Sequence, residues 1–129
     1  MQKTAVRTEN APAPFQGAPY SQAIKANGLV FVSGQVALDP EAQALVPGGI
    51  TEQTEQVFAN LRAILEAAGS SLDRIVKTTV FLQSFDDFAA MNEVYPRHVG
   101  GVPPARSTFE VVKLPSGALV EIEAVALTD

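Results

Sequence analysis

The order of the hydrophobic patterns predicts an α+β domain, a single mixed β-sheet with two helices packed on one face. Three observations carry this. Asn27-Gly28 lies between two apolar stretches, and both residue types tolerate the positive φ that a two-residue hairpin turn demands. Apolar residues recur at helical spacing between Ile50 and Ala68. Three further runs, "DRIVKTTVFLQ", "RSTFEVVKL" and "GALVEIEAVAL", are rich in β-branched or alternating apolar residues. The order is therefore ββ-α-β-α-ββ.

The elements follow along the chain. Residues 1–17, with the Pro/Ala-rich "NAPAPFQGAP", read as an extended lead-in to a single domain spanning 1–129. Around the Asn27-Gly28 turn, Ala26 pairs with Leu29, Ile24 with Phe31, Gln22 with Ser33 and Tyr20 with Gln35. Paired residues share a face, so Tyr20, Gln22, Ser33 and Gln35 form one polar patch at the far end of an apolar hairpin. Gly34 falls inside the second strand, where a glycine is weak unless another group approaches the backbone or the strand bulges. In "ITEQTEQVFANLRAILEAAG" the residues Ile50, Val57, Leu61, Ile64, Leu65 and Ala68 make the apolar stripe, and Gly69 is the stop. "SFDDFAAMNEVY" is a second helix, capped by Ser84 or Asp86 and ended or kinked by Pro96.

Two helices cover only one face of such a sheet. Yet Val30, Val32, Val36 and Leu38 are apolar on one side of their strand, and Leu29, Phe31 and Ala37 on the other. Val120, Ile122, Ala124 and Ala126 form a further apolar row. Large exposed apolar faces are rare in monomers, so an oligomer that packs its sheets together is expected, with the row at Val120 and Ile122 exposed on dissociation.

Composition bounds the function. Nine Lys+Arg against fourteen Asp+Glu give a net charge of −5, and no basic run is present, which counts against a nucleic-acid partner. There is no Cys and a single His, His98, so thiolate and multi-histidine metal sites are excluded. No apolar stretch suits a signal peptide or a membrane span, and a cytoplasmic protein without a membrane partner is expected.

A few residues carry possible chemistry. Arg106 opens a strand just after the rigid Pro103-Pro104-Ala105. It serves either as a salt-bridge partner, to Glu110 or a neighbouring strand, or as a planar fork for a carboxylate. Glu121 and Glu123 share a face opposite the row at Val120 and Ile122. They form either a solvated polar row or a place where one partly desolvated carboxylate orients or deprotonates a water. Tyr20 and Ser33 read as ordinary strand polar residues or as part of a site, Asn92 as a surface or cap residue, and His98 as a loop residue.

The motifs "GAPYSQA", "VFVSGQVALDP", "EQTEQVFANLRAILEAAG", "IVKTTVFL", "DFAAMNEVY", "PPARSTFEV" and "LPSGALVEIEAVA" occur in order. Together, from about Tyr20 to Leu127, they resemble the Rid family, the YjgF-type reactive intermediate (enamine/imine) deaminases, and within it the RidA-type branch that keeps Arg106. The resemblance implies a chorismate-mutase-like fold, a homotrimer with sites between subunits, and no metal or organic cofactor. It implies hydrolysis of 2-aminoacrylate and related 2-imino acids to 2-keto acids and ammonia, which protects PLP enzymes. Carried over, Arg106 pairs with the substrate carboxylate and Glu121 holds or activates the attacking water. Tyr20, Ser33, Gly34 and Asn92 line the pocket, and Thr108 lies beside the substrate where many members have Cys. Three rival functions remain open: a non-catalytic module that binds small carboxylates, a ribonuclease or translation inhibitor, and a redox-triggered chaperone.

Overall fold

The structure, a computed structural model, describes residues 2–129. The chain runs β1 (Thr4–Val6), β2 (Ala23–Ala26), β3 (Leu29–Gln35), α1 (Ile50–Ala67), β4 (Ile75–Leu82), α2 (Phe88–Val94), β5 (Ala105–Glu110) and β6 (Val120–Leu127). The strands form one six-stranded sheet in the order β1-β2-β3-β6-β4-β5. Every pairing is antiparallel except β4 with β5. A parallel pair needs a crossover, and the segment containing α2 supplies it. Among the described residues no helix is long and apolar enough to cross a membrane.

The hairpin forms at Asn27 (φ 53°) and Gly28 (φ 77°), with Ala26 opposite Leu29 and Ile24 opposite Phe31. Pairing extends to Ser33, whose amide donates to the Gln22 carbonyl at 2.9 Å. It then stops. The ladder between β3 and β6 shifts register between Val32 and Gln35, leaving Gln35 opposite Ile122. The expected Tyr20–Gln35 pair is therefore absent, and Tyr20 hydrogen-bonds locally instead. The bulge also resets the alternation: Ala37 is fully buried and Val36 half-buried, where Val36 was expected to share the side of Val30 and Val32, and Ala37 that of Phe31.

The lead-in is more structured than its composition implies, because β1 adds a strand to β2. Its anchor is Gln22, a buried side chain. The Gln22 Oε1 accepts from the Thr8 amide (2.8 Å), and Nε2 donates to the carbonyls of Thr8 (3.0 Å) and Pro12 (2.8 Å). A buried amide with both ends satisfied fixes the segment it spans.

Helix α1 buries Val57, Phe58, Leu61, Ile64, Leu65 and Ala68, and Ile50 packs at the edge of the core. Gly69 (φ 80°) ends the helix, and the Ser70 amide returns to the Leu65 carbonyl at 2.8 Å. Periodicity missed three buried polar residues on this helix, Gln53, Thr54 and Asn60. Asn60 Nδ2 donates to the carbonyls of Val36 (3.2 Å) and Leu38 (3.0 Å), which holds the chain leaving the bulge. The second helix is shorter than its motif. Helical turns flank it at Phe85–Asp87 and at Tyr95–Arg97, where Pro96 sits. Ser84 caps the entry by accepting from the Asp86 amide at 3.1 Å.

One expectation is reversed. Val120, Ile122, Ala124 and Ala126 are buried beneath the chain's own helices, so this row needs no second copy to cover it. The uncovered face is the opposite one. There Phe31 and Leu127 are each 44% exposed, and Val125 and Phe81 are half-buried. Alternation along β6 puts Glu121 and Glu123 on the same open face. Ile122→Asp, which buries a charge in a packed core, should therefore abolish folding as read by circular dichroism. Phe31→Asp should retain native secondary structure. Equal loss in both variants would contradict this assignment of faces.

Candidate active site

Gly34 and Glu121 meet at the bulge. A Cβ built on Gly34 would overlap the Glu121 carboxylate, closer than real side chains approach. A side chain at this position would have to push the Glu121 carboxylate aside, which is the close approach that the mid-strand glycine called for. Gly34, Ser33, Tyr20 and Glu121 line one cavity of about 550 Å³, with Phe15 and Pro115 at its rim.

Two of these side chains are held by hydrogen bonds. Ser33 Oγ donates to the Ser21 carbonyl (2.6 Å), and the Tyr20 hydroxyl accepts from the Phe15 amide (2.7 Å). Burial raises the pKa of Glu121 above the ordinary carboxylate value, and the neighbouring Glu123 charge adds to the rise. A carboxylate that clings to its proton in this way is a stronger base once ionised.

A second group gathers on β5 and α2. Arg106 Nη1 donates to Asn92 Oδ1 at 2.8 Å. The guanidinium carbon lies 4.8 Å from the centroid of the Tyr95 ring and 5.7 Å from that of Phe88. The alternative of a salt bridge to Glu110 is not realised. Glu110 Oε1 accepts instead from the Phe85 amide at 2.9 Å. Among the described residues Arg74 pairs with Asp129 and Glu55 contacts His98, and neither contact involves Arg106. The guanidinium thus keeps its charge uncompensated and most of its donors free. Thr108, one step along the same face, has a buried Oγ1 with no hydrogen-bond partner.

Tyr95 is the residue that sequence reasoning missed. Its hydroxyl is 2.6 Å from Thr78 Oγ1. Burial raises the phenol above its usual pKa, against the downward pulls of the Thr78 hydrogen bond and the Arg106 charge. The signal was present: Phe88, Asn92 and Tyr95 are spaced i, i+4, i+7 and so share one helix face. His98 has a structural place, with its ring stacked 4.7 Å from Phe58 and Nε2 2.6 Å from Glu55 Oε1.

The two groups do not meet within one chain. Arg106 and Thr108 pair across β4 with Thr78 and Val80, both fully buried under the helices. Glu121 pairs with Phe81, whose side chain points the other way. Paired residues share a face, so the sheet itself separates Arg106, Asn92 and Thr108 from Tyr20, Ser33, Gly34 and Glu121.

Comparison with known proteins closes the question of family. Residues 8–128 match the family model described as endoribonuclease L-PSP. A RutC family protein of Pyrococcus horikoshii is 51% identical, covering 96% of this chain and 97% of its own length. The mouse 2-iminobutanoate/2-iminopropanoate deaminase is 44% identical, covering 97% of this chain and 91% of its own. Among solved structures, E. coli TdcF with bound serine superposes with a TM-score of 0.89 at 34% identity, covering 98% of this chain and 99% of that one. A family match over residues 8–128, with relatives 44–51% identical across nearly the whole chain, places this protein in the Rid (YjgF-type, endoribonuclease L-PSP) family.

Proposed function

We propose that this protein hydrolyses 2-aminoacrylate and related 2-imino acids to 2-keto acids and ammonia, at sites shared between the subunits of a homotrimer. The observation that carries the reading is the uncompensated Arg106 guanidinium, held by Asn92 and free of any carboxylate partner among the described residues. The mouse relative named as an imine deaminase supports the reaction class, and the serine bound to TdcF supports a small amino-acid-like ligand.

The separation of the two groups supports the assembly. A site that joins one face of one copy to the opposite face of the next uses two different patches. Such head-to-tail contacts form a ring where the rotation between copies closes, and the open face at Phe31 and Leu127 gives them apolar surface to bury. One copy contributes Arg106, Asn92 and Thr108. Its neighbour contributes Tyr20, Ser33, Gly34 and Glu121.

The chemistry asks little of such a site. Protonation of the enamine carbon gives the imine, whose carbon is already electrophilic. Arg106 grips the carboxylate in a two-pronged contact. As the water oxygen bonds to the imine carbon, Glu121 takes a proton from the water and the imine nitrogen takes one from solvent, giving a carbinolamine. The proton on Glu121 then passes to the amine, the C–N bond breaks as the hydroxyl proton goes to Glu121 and on to solvent, ammonia leaves and the 2-keto acid remains. Positioning and charge complementarity supply the acceleration. A site that binds a small carboxylate without turning it over would retain the same arginine, and turnover of freshly generated 2-aminoacrylate separates the two. The net charge of −5 weighs against an RNA substrate.

Arg106→Ala should remove nearly all imine hydrolysis while the protein keeps its melting temperature and a three-chain mass by light scattering. Losing a contact to an ionised carboxylate costs roughly 2–5 kcal/mol, on the order of a hundredfold or more in rate. Arg106→Lys should rescue only in part, because a point charge does not reproduce the fork. Intact turnover with a lowered melting temperature would make Arg106 scaffold, and a monomer mass would remove the shared site.

Glu121 gives a pH test. Its raised native pKa means that the folded state holds its proton more tightly than the unfolded chain does. Stability is therefore greatest below the ordinary carboxylate pKa and declines as pH rises through the window up to the native value. Glu121→Gln should unfold at higher denaturant than the parent at neutral pH, and the gap should close as the pH falls below that window. A gap that widens in acid would show a carboxylate stabilised in its charged form.

A further inference from the structure

We propose that Phe88, Asn92 and Tyr95 form a clamp that fixes the plane and aim of the Arg106 guanidinium, setting the affinity for a substrate carboxylate through positioning. This rests on the reading of Arg106 as the carboxylate anchor.

A two-pronged contact requires both N–H groups to point along parallel lines at once. Arginine has a long stem with several free torsions, and ordering it on binding subtracts from affinity. Here much of that ordering is done in advance. The Tyr95 ring, 4.8 Å from the guanidinium carbon, and Phe88 at 5.7 Å attract the cation with their faces. Asn92 Oδ1 takes one Nη1 proton at 2.8 Å. Of the five donors on the group, this uses one and leaves an edge for the ligand.

The clamp is anchored as a closed loop. Thr78 is the register partner of Arg106 on β4, and its Oγ1 lies 2.6 Å from the Tyr95 hydroxyl. The strand pair that sets the arginine backbone thus also sets the ring that meets its head. Phe58 packs edge-on against Tyr95 at 5.5 Å, and Tyr95 is only 7% exposed, so the platform has little freedom. Phe88 is the looser jaw. It is 37% exposed and edge-on to Phe85 at 5.6 Å. The Tyr95 hydroxyl is taken up by Thr78 and the ring meets Arg106, which makes Tyr95 a positioning residue and no proton donor to the substrate.

The test is calorimetric binding of pyruvate, the 2-keto acid derived from 2-aminoacrylate, and of its uncharged analogue pyruvamide. The proteins are the parent, Arg106→Ala, Phe88→Leu, Tyr95→Phe and Tyr95→Leu, each checked by light scattering and melting. Tyr95→Leu should weaken pyruvate binding roughly 3–30-fold and Phe88→Leu roughly 2–5-fold, as expected for loss of one aromatic face. Tyr95→Phe, which keeps the ring and releases Thr78, should fall between parent and Tyr95→Leu. The preference for pyruvate over pyruvamide should drop in step.

If Arg106→Ala abolishes pyruvate binding while Phe88→Leu and Tyr95→Leu bind as the parent does, the clamp is overturned and the anchor stands. Equal weakening for both ligands marks a general disturbance of the site and also overturns it. If Arg106→Ala binds pyruvate as the parent does, the anchor reading fails and the clamp fails with it. Should Tyr95→Leu not fold, Phe88→Leu at an exposed position carries the same comparison.

Discussion

A pleated strand sends successive side chains to opposite sides, and in this protein that alternation governs everything built on β4, β5 and β6. Arg106 is in register with Thr78, and Glu121 with Phe81. Thr78 lies under the helices and Phe81 on the open face. No rotamer change carries a side chain through a sheet. The Arg106 guanidinium and the Glu121 carboxylate therefore lie on opposite faces of one chain, and chemistry that used both would draw them from two copies.

Each of the two groups is held in place by its surroundings. On the open face, the bulge at Ser33 and Gly34 makes room for the Glu121 carboxylate, and Asn60 secures the chain beyond it through the carbonyls of Val36 and Leu38. Gln22 ties the lead-in over the same cavity. On the helical face, the Asn92 side chain and two aromatic rings surround Arg106. Buried amides with all their bonds made are costly to disturb, so these side chains confer precision beyond what apolar packing gives. The elevated pKa of Glu121 is the counterpart: a carboxylate kept partly out of water weakens the fold slightly at neutral pH and gains basicity.

Local chemistry made the hairpin, both helices and all three later strands legible in the sequence, because Asn27-Gly28, the Val57 to Ala68 stripe and the β-branched runs act through near neighbours. Features set by distant partners were not legible. The short strand β1 exists because β2 offers it an edge and Gln22 reaches back to Thr8. The row from Val120 to Ala126 was assigned to the wrong environment because alternation shows that two faces differ, and tertiary packing alone decides which one the helices cover. At the site, Gly34 announced itself as a close approach and Arg106 as a placed cation. Tyr95 was not singled out, because helical spacing puts it beside Asn92 without showing that Arg106, from a distant strand, meets its ring.

The most direct test of the two-face account is complementation between crippled chains. Arg106→Ala and Glu121→Gln proteins, each inactive alone, are dissociated, mixed in equal amounts and reassembled. In a shared site the intact Arg106 of one chain meets the intact Glu121 of the other, and random mixing in a ring should restore about a quarter of the parental imine hydrolysis. Reassembly of mixed oligomers, verified by mass, with no recovery of activity would contradict the account and place both residues' functions within a single chain.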